Sequence, residues 1–122
     1  MSIYRQKVMS HYSAPQNKGK LTKPSRVFNG ANPLCGDKII FEVKIDNNKK
    51  ITAVAWDGAG CAISQAAASI FSEMIKGKTL SAARKIKSEQ LLKVMDIKLS
   101  PVRRKCALLP LFTIKEKEIK IN

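Results

Sequence analysis

The chain has 122 residues, 44% of them apolar, and a formal net charge of +14 from 23 Lys+Arg against 9 Asp+Glu. That is enough apolar side chain for one packed core, and a single domain spanning 1–122 is expected. Six Gly and five Pro exclude a fibrous repeat. No apolar run approaches the ~20 residues that span a bilayer, and no apolar leader follows Met1, so a cytoplasmic protein is expected.

Residues 2–12 predict a short amphipathic helix capped by Ser2, with Ile3, Tyr4, Val8 and Tyr12 on roughly one face. His11, near its end, reads as a surface or packing residue. Residues 13–34 carry Pro15, Gly19, Pro24, Gly30 and Pro33 and read as an extended loop, with a short edge strand near Arg26-Val27-Phe28. Ile39, Phe41, Val43 and Ile45 alternate with polar residues, which predicts a half-buried strand over 38–45. Asp46-Asn47-Asn48-Lys49 predicts a turn, because Asn tolerates positive φ. Residues 50–56 return as a second strand, completing an antiparallel hairpin.

Apolar residues recur at three and four through 62–76, the clearest helix, with Gly77 at its C′ position. Thr79 or Ser81 caps a short helix ending near Lys87, and Ser88 caps another over 89–95. Pro101 interrupts the chain, and 106–117 reads as a last helix whose first turn Pro110 restricts. The short tail after Phe112 favours fraying at its end. The order predicts an α+β fold: a small antiparallel sheet of about three strands with helices packed on one face.

Three cysteines, Cys35, Cys61 and Cys106, cannot all pair within one chain. They form no Cys-x-x-Cys knuckle, so any shared site must be assembled by the fold. Cys35 sits in Asn32-Pro33-Leu34-Cys35-Gly36-Asp37, just before a strand. Cys61 follows Gly58-Ala59-Gly60 and opens the best helix. Cys106 follows Arg103-Arg104-Lys105 and is expected to open the last helix. A thiol at a helix N-terminus faces unpaired N–H groups, which favours the thiolate. Flanking glycines leave the sulfur open, and Gly36 lets Cys35 and Asp37 turn toward one point. Three thiolates and one carboxylate form a set suited to tetrahedral Zn²⁺, and thiolates also suit iron–sulfur clusters. Taken alone, three buried hydrophobic cysteines and a capping Asp37 remain the plain alternative.

These motifs, in this order, resemble the U-type iron–sulfur cluster assembly proteins, namely IscU, SufU and the N-terminal domain of NifU. The resemblance runs from Tyr4-Arg5 through His11-Tyr12 and Pro15-Gln16-Asn17-Lys18-Gly19 to the three cysteine motifs, Lys76-Gly77-Lys78 and Arg104-Lys105-Cys106-Ala107. It implies an α+β fold with the cysteines gathered at one exposed end. It implies a cysteine desulfurase as sulfur donor, recipient apo iron–sulfur proteins, and Cys35, Asp37, Cys61 and Cys106 as the ligand set. Cys106 or Cys35 would accept the sulfur. The site would hold a nascent [2Fe–2S] cluster, as in the scaffold branch, or Zn²⁺, as in the sulfur-relay branch. Two departures keep both branches open. Lys105 stands where the scaffold branch has His, and the 45 positions from Cys61 to Cys106 leave no room for the insertion usual in the zinc branch. Leu99-Ser100-Pro101-Val102-Arg103 loosely resembles a segment that docks an Hsp70-type chaperone.

The charge admits a different class, a basic nucleic-acid module stapled by zinc. Residues 76–122 carry 13 Lys+Arg against 4 Asp+Glu, densest at Arg103–Lys105. Aromatics do not interleave with these bases as single-strand binding requires, and no nucleic-acid motif stands out. A membrane partner is not expected.

Overall fold

A computed structural model describes residues 3–33, 36–116 and 118–120. The elements are α1 (Ile3–Ser13), β1 (Arg26–Asn32), β2 (Asp37–Ile45), β3 (Ile51–Ala59), α2 (Ala62–Ile75), α3 (Leu80–Arg84), α4 (Ser88–Met95), α5 (Pro101–Glu116) and β4 (Glu118–Lys120). The fold is α+β, as expected, with a sheet of order β3-β2-β1-β4 that is antiparallel throughout.

Alternation places the inner face. Phe28, Phe41, Val43, Val54 and Trp56 are buried against the helices, while Lys38, Ile40 and Asp57 point the other way. Phe41 meets Phe71 of α2 edge-on, with ring centroids 6.0 Å apart, a favoured aromatic geometry. Ala66, Ala67 and Ala68 have no exposed surface. A helix so apolar on all sides is covered all round: α1 and α4 pack against α2, and so does α5.

The β2–β3 turn forms because the Asp46 carboxylate accepts N–H bonds from Asn48 and Lys50. The positive φ falls on Lys49 (65°), not on an Asn. Thr79 caps α3 by accepting the Ala82 N–H, and α3 ends at Arg84, earlier than the sequence suggests. Lys87 takes the N-cap of α4, so that helix starts at Ser88.

Four expectations change. Strand β1 runs seven residues, past the predicted three, because its pairing with β2 continues to Asn32 opposite Asp37, and Gly30 within it lies directly under Thr113 of α5, where any Cβ would overlap the threonine. Tyr12 is exposed, and His11 faces α2 in its place, with Nδ1 2.7 Å from the Ser69 hydroxyl. Helix α5 begins at Pro101, five residues before Cys106. Ser100 explains this: its hydroxyl accepts the Arg103 N–H and its carbonyl accepts the Arg104 N–H, while Pro101 fills the first helical position with preset φ. Pro110 is accommodated inside the helix, removing one N–H from its ladder. Finally, the chain past α5 adds β4, paired to β1 with Val27 opposite Ile119. Residue 117, the last predicted for that helix, lies outside the described residues.

Candidate metal centre

Three described side chains with metal-binding chemistry converge at one end of the sheet. Asp37 is the first residue of β2 and is 2% exposed. Gly36 before it holds φ +73°, which admits glycine freely, and its N–H closes a turn onto the Asn32 carbonyl at 2.8 Å. Cys61 is the N-cap of α2, with extended φ −72° and ψ 167°. Its N–H donates to Asp37 Oδ1 at 3.1 Å, and its Sγ lies 3.8 Å from Asp37 Oδ2. Cys106 lies in the second turn of α5, 2% exposed. One ligand atom from each of Asp37, Cys61 and Cys106 lies within 4.8 Å of the other two.

The expectation for Cys106 is corrected. It does not open its helix, so it gains nothing from the orphan N–H groups of a helix N-terminus, and only Cys61 holds that position. The pole is also less open than expected: Asp37 and Cys106 are buried, and Cys61 is half-buried. Cys35 lies outside the described residues.

Neighbouring residues shape the site. A Cβ on Gly60 would overlap the Asp37 carboxylate and the Ser64 hydroxyl. Glycine at position 60 therefore lets the carboxylate reach the start of α2. The Ser64 hydroxyl donates to the Cys61 carbonyl at 3.0 Å and sits 3.9 Å from the Cys61 sulfur. Nothing in the residue types singles out Ser64; the signal is its N3 position, from which a side chain reaches back to the N-cap. Arg103, Arg104 and Lys105 are all exposed on the turn of α5 leading to Cys106.

The donor set fits a thiophilic metal. Tetrahedral zinc with Zn–S near 2.3 Å sets ligand atoms roughly 3.8 Å apart. The three ligand atoms lie within 4.8 Å of one another, at most about 1 Å beyond that spacing. A hard, oxygen-seeking cation does not suit two sulfurs.

A profile of the NifU-like N terminal domain matches residues 3–118. The iron–sulfur cluster assembly enzyme IscU of Drosophila melanogaster is 33% identical over 113 residues, covering 89% of this chain and 71% of the relative. The scaffold protein IscU of Haemophilus influenzae is 36% identical over 109 residues, covering 87% and 85%. The zinc-dependent sulfurtransferase SufU of Bacillus subtilis is 42% identical over 82 residues, covering 67% of this chain and 54% of the relative. Among solved structures, a protein described as an iron–sulfur cluster assembly scaffold for the SUF system, from Fervidobacterium islandicum, superposes with TM-score 0.78. It is 29% identical, with 92% of this chain and 93% of that chain covered. This chain belongs to the family of NifU-like N-terminal domains.

Proposed function

We propose that residues 1–122 act as one iron–sulfur cluster assembly domain. It accepts sulfane sulfur from a cysteine desulfurase, builds a [2Fe–2S] cluster as cargo, and delivers it to recipient apo proteins in the cytoplasm. The observation that carries this reading is the meeting of Asp37, Cys61 and Cys106 within 4.8 Å from three elements distant in sequence. Inert cysteines need no such convergence. Cys35, two residues before Asp37, completes the proposed set. Family membership and the IscU relatives support the same reading.

This chain's residues divide the work. Asp37 is held in place by the Cys61 N–H on one oxygen, and its second oxygen lies 3.8 Å from the Cys61 sulfur. Cys61 and Cys106 supply thiolates from two helices. The exposed Arg103, Arg104 and Lys105 offer an acidic partner a docking point next to the site. Leu99–Arg103, exposed from Ser100 onward with Leu99 half-buried, is the segment proposed to meet an Hsp70-type chaperone.

A second reading, zinc-dependent sulfur relay, is favoured by Lys105 and by the 42% identity to SufU. Zinc, where bound, would fix the three thiolates and the Asp37 carboxylate of the same set. Anaerobic purification with metal analysis separates the two. Scaffolding predicts a cluster absorbance on adding iron, cysteine and desulfurase, lost in Cys35→Ala. Relay predicts near-stoichiometric zinc and stimulated desulfurase turnover without that absorbance. Neither sulfur transfer nor stimulation from a cognate desulfurase would overturn both.

A further inference from the structure

Ser64 stands at N3 of α2 without the duty that position usually carries. In a capping box the N3 side chain accepts the N–H of the N-cap residue. Here that N–H, on Cys61, is taken by Asp37 Oδ1 at 3.1 Å. The Ser64 hydroxyl donates instead to the Cys61 carbonyl at 3.0 Å. That carbonyl also accepts the Gln65 N–H, its partner in the helix ladder, at 3.1 Å. The hydroxyl bond can therefore be given up without orphaning a buried acceptor. Ser64 is 5% exposed, and its Oγ lies 3.9 Å from the Cys61 sulfur. The other oxygen beside that sulfur, Asp37 Oδ2 at 3.8 Å, belongs to a carboxylate and only accepts. A serine hydroxyl rotates and donates. Metals bind cysteine as the thiolate. Of these two neighbours, only Ser64 has a hydrogen to give a thiolate at Cys61.

We propose that Ser64 is a positioning residue for the metal centre: its hydroxyl turns from the Cys61 carbonyl to the Cys61 sulfur when that sulfur ligates metal. The inference rests on the ligand set proposed above. The turn leaves the ladder of α2 intact, because the Gln65 N–H stays on the carbonyl and Asp37 stays on the Cys61 N–H. Glycine at position 60 leaves the hydroxyl its place, since a Cβ there would overlap Ser64 Oγ. A hydrogen bond to a ligating sulfur draws off part of its charge, and such bonds orient ligands and set the electronic character of thiolate centres. Ser64 thus acts through Cys61 and touches neither metal nor sulfur cargo itself.

The test titrates the metal-free full chain anaerobically with cobalt(II), whose thiolate-to-metal charge-transfer absorbance reports the electron density on the ligating sulfurs. In Ser64→Ala that band is expected at longer wavelength than in the wild type, because the sulfur regains the charge the hydroxyl had drawn off. Cobalt affinity is expected to fall by about tenfold, the lower end of the loss when a ligand's support is removed. Ser64→Thr, which keeps the hydroxyl, is expected to retain the wild-type band. A role confined to capping α2 would lower the melting temperature of Ser64→Ala and leave the band in place. An unmoved band in Ser64→Ala therefore overturns the proposal whatever the affinity, and so does an alanine-like band in Ser64→Thr. Cys61→Ser checks the ligand set separately and is expected to lose part of the band's intensity. Full wild-type absorbance in Cys61→Ser would overturn that set, and this inference with it. An unmoved band in Ser64→Ala beside a weakened one in Cys61→Ser overturns the role of Ser64 alone.

Discussion

Asp37 serves two atoms at once. One oxygen accepts the N–H of Cys61, the N-cap of α2, and the other lies beside the Cys61 sulfur. The helix start thus aims the carboxylate, as a hydrogen-bonded neighbour aims a metal ligand. Gly60 keeps the gap that this arrangement needs. Gly60→Ala is expected to lower metal affinity by about 10–100-fold, the usual cost of disturbing such support, with far-UV dichroism unchanged. Chelator competition measures it, and wild-type affinity in the variant would remove Gly60 from the site. At this scale the sequence is legible where chemistry is spelled by residue type. Three cysteines, a nearby carboxylate and flanking glycines announce themselves. Ser64 does not, because a serine three residues into a helix looks like any other until its partner is known. Cys106 misleads for a local reason: Pro101 reads as a break, yet behind a capping serine it starts a helix.

At the level of elements, α1 is held to α2 by a polar seam. His11 and the Gln16 N–H both meet the Ser69 hydroxyl, and the Asn17 amide donates to Ser72 and Glu73. Burial, with the Lys7 ammonium, holds the His11 imidazole below its ordinary value of 6.5, and Glu73 opposes the shift. The unfolded chain then binds the proton more readily than the folded one. Stability is therefore full above about pH 6.5 and declines as pH falls through that value toward the folded one. His11 is the only histidine. The urea midpoint is expected to fall between pH 7.5 and 5.5, and His11→Gln is expected to flatten that slope. Parallel profiles in both variants would exclude His11. Glu73, held below its usual range by the Asn17 amide and then Lys76, adds stability that is lost only below about pH 4.5, outside this window. The seam was invisible beforehand, since α1 carries two aromatic or imidazole side chains in succession and periodicity chose the wrong one. Strands β2 and β3 and helix α2 were legible because their periods of two and 3.6 are unbroken. Strand β1 was cut short by a turn-like Asn29-Gly30, and three-residue β4 is too brief for any period to show.

For the whole molecule, charge matters more than shape. A net +14 on 122 residues attracts acidic surfaces over distances beyond contact. The exposed triplet at Arg103–Lys105 concentrates that pull beside the ligands. The double variant Arg103→Glu with Arg104→Glu is expected to slow association with the desulfurase by about tenfold at low salt. The two proteins should converge near 0.5 M salt, where the Debye length falls to roughly 4 Å. Stopped-flow rates across ionic strength check this, and equal rates at low salt would move the docking point elsewhere. Among the described residues no helix is long and apolar enough to cross a membrane. A groove of about 910 Å³ lies on the outer sheet face, between Val27, Asn29, Lys38, Ile40, Glu42 and Asp57.

The sheet's two margins have been dealt with separately. The Asn17–Gly19 segment exchanges hydrogen bonds with Trp56 along one, and β4 lies on the first three residues of β1 along the other. Unpaired strand borders are where chains stack on one another. A chain whose sheet borders are covered in this way can sit at high concentration without its sheet becoming a template for fibrils.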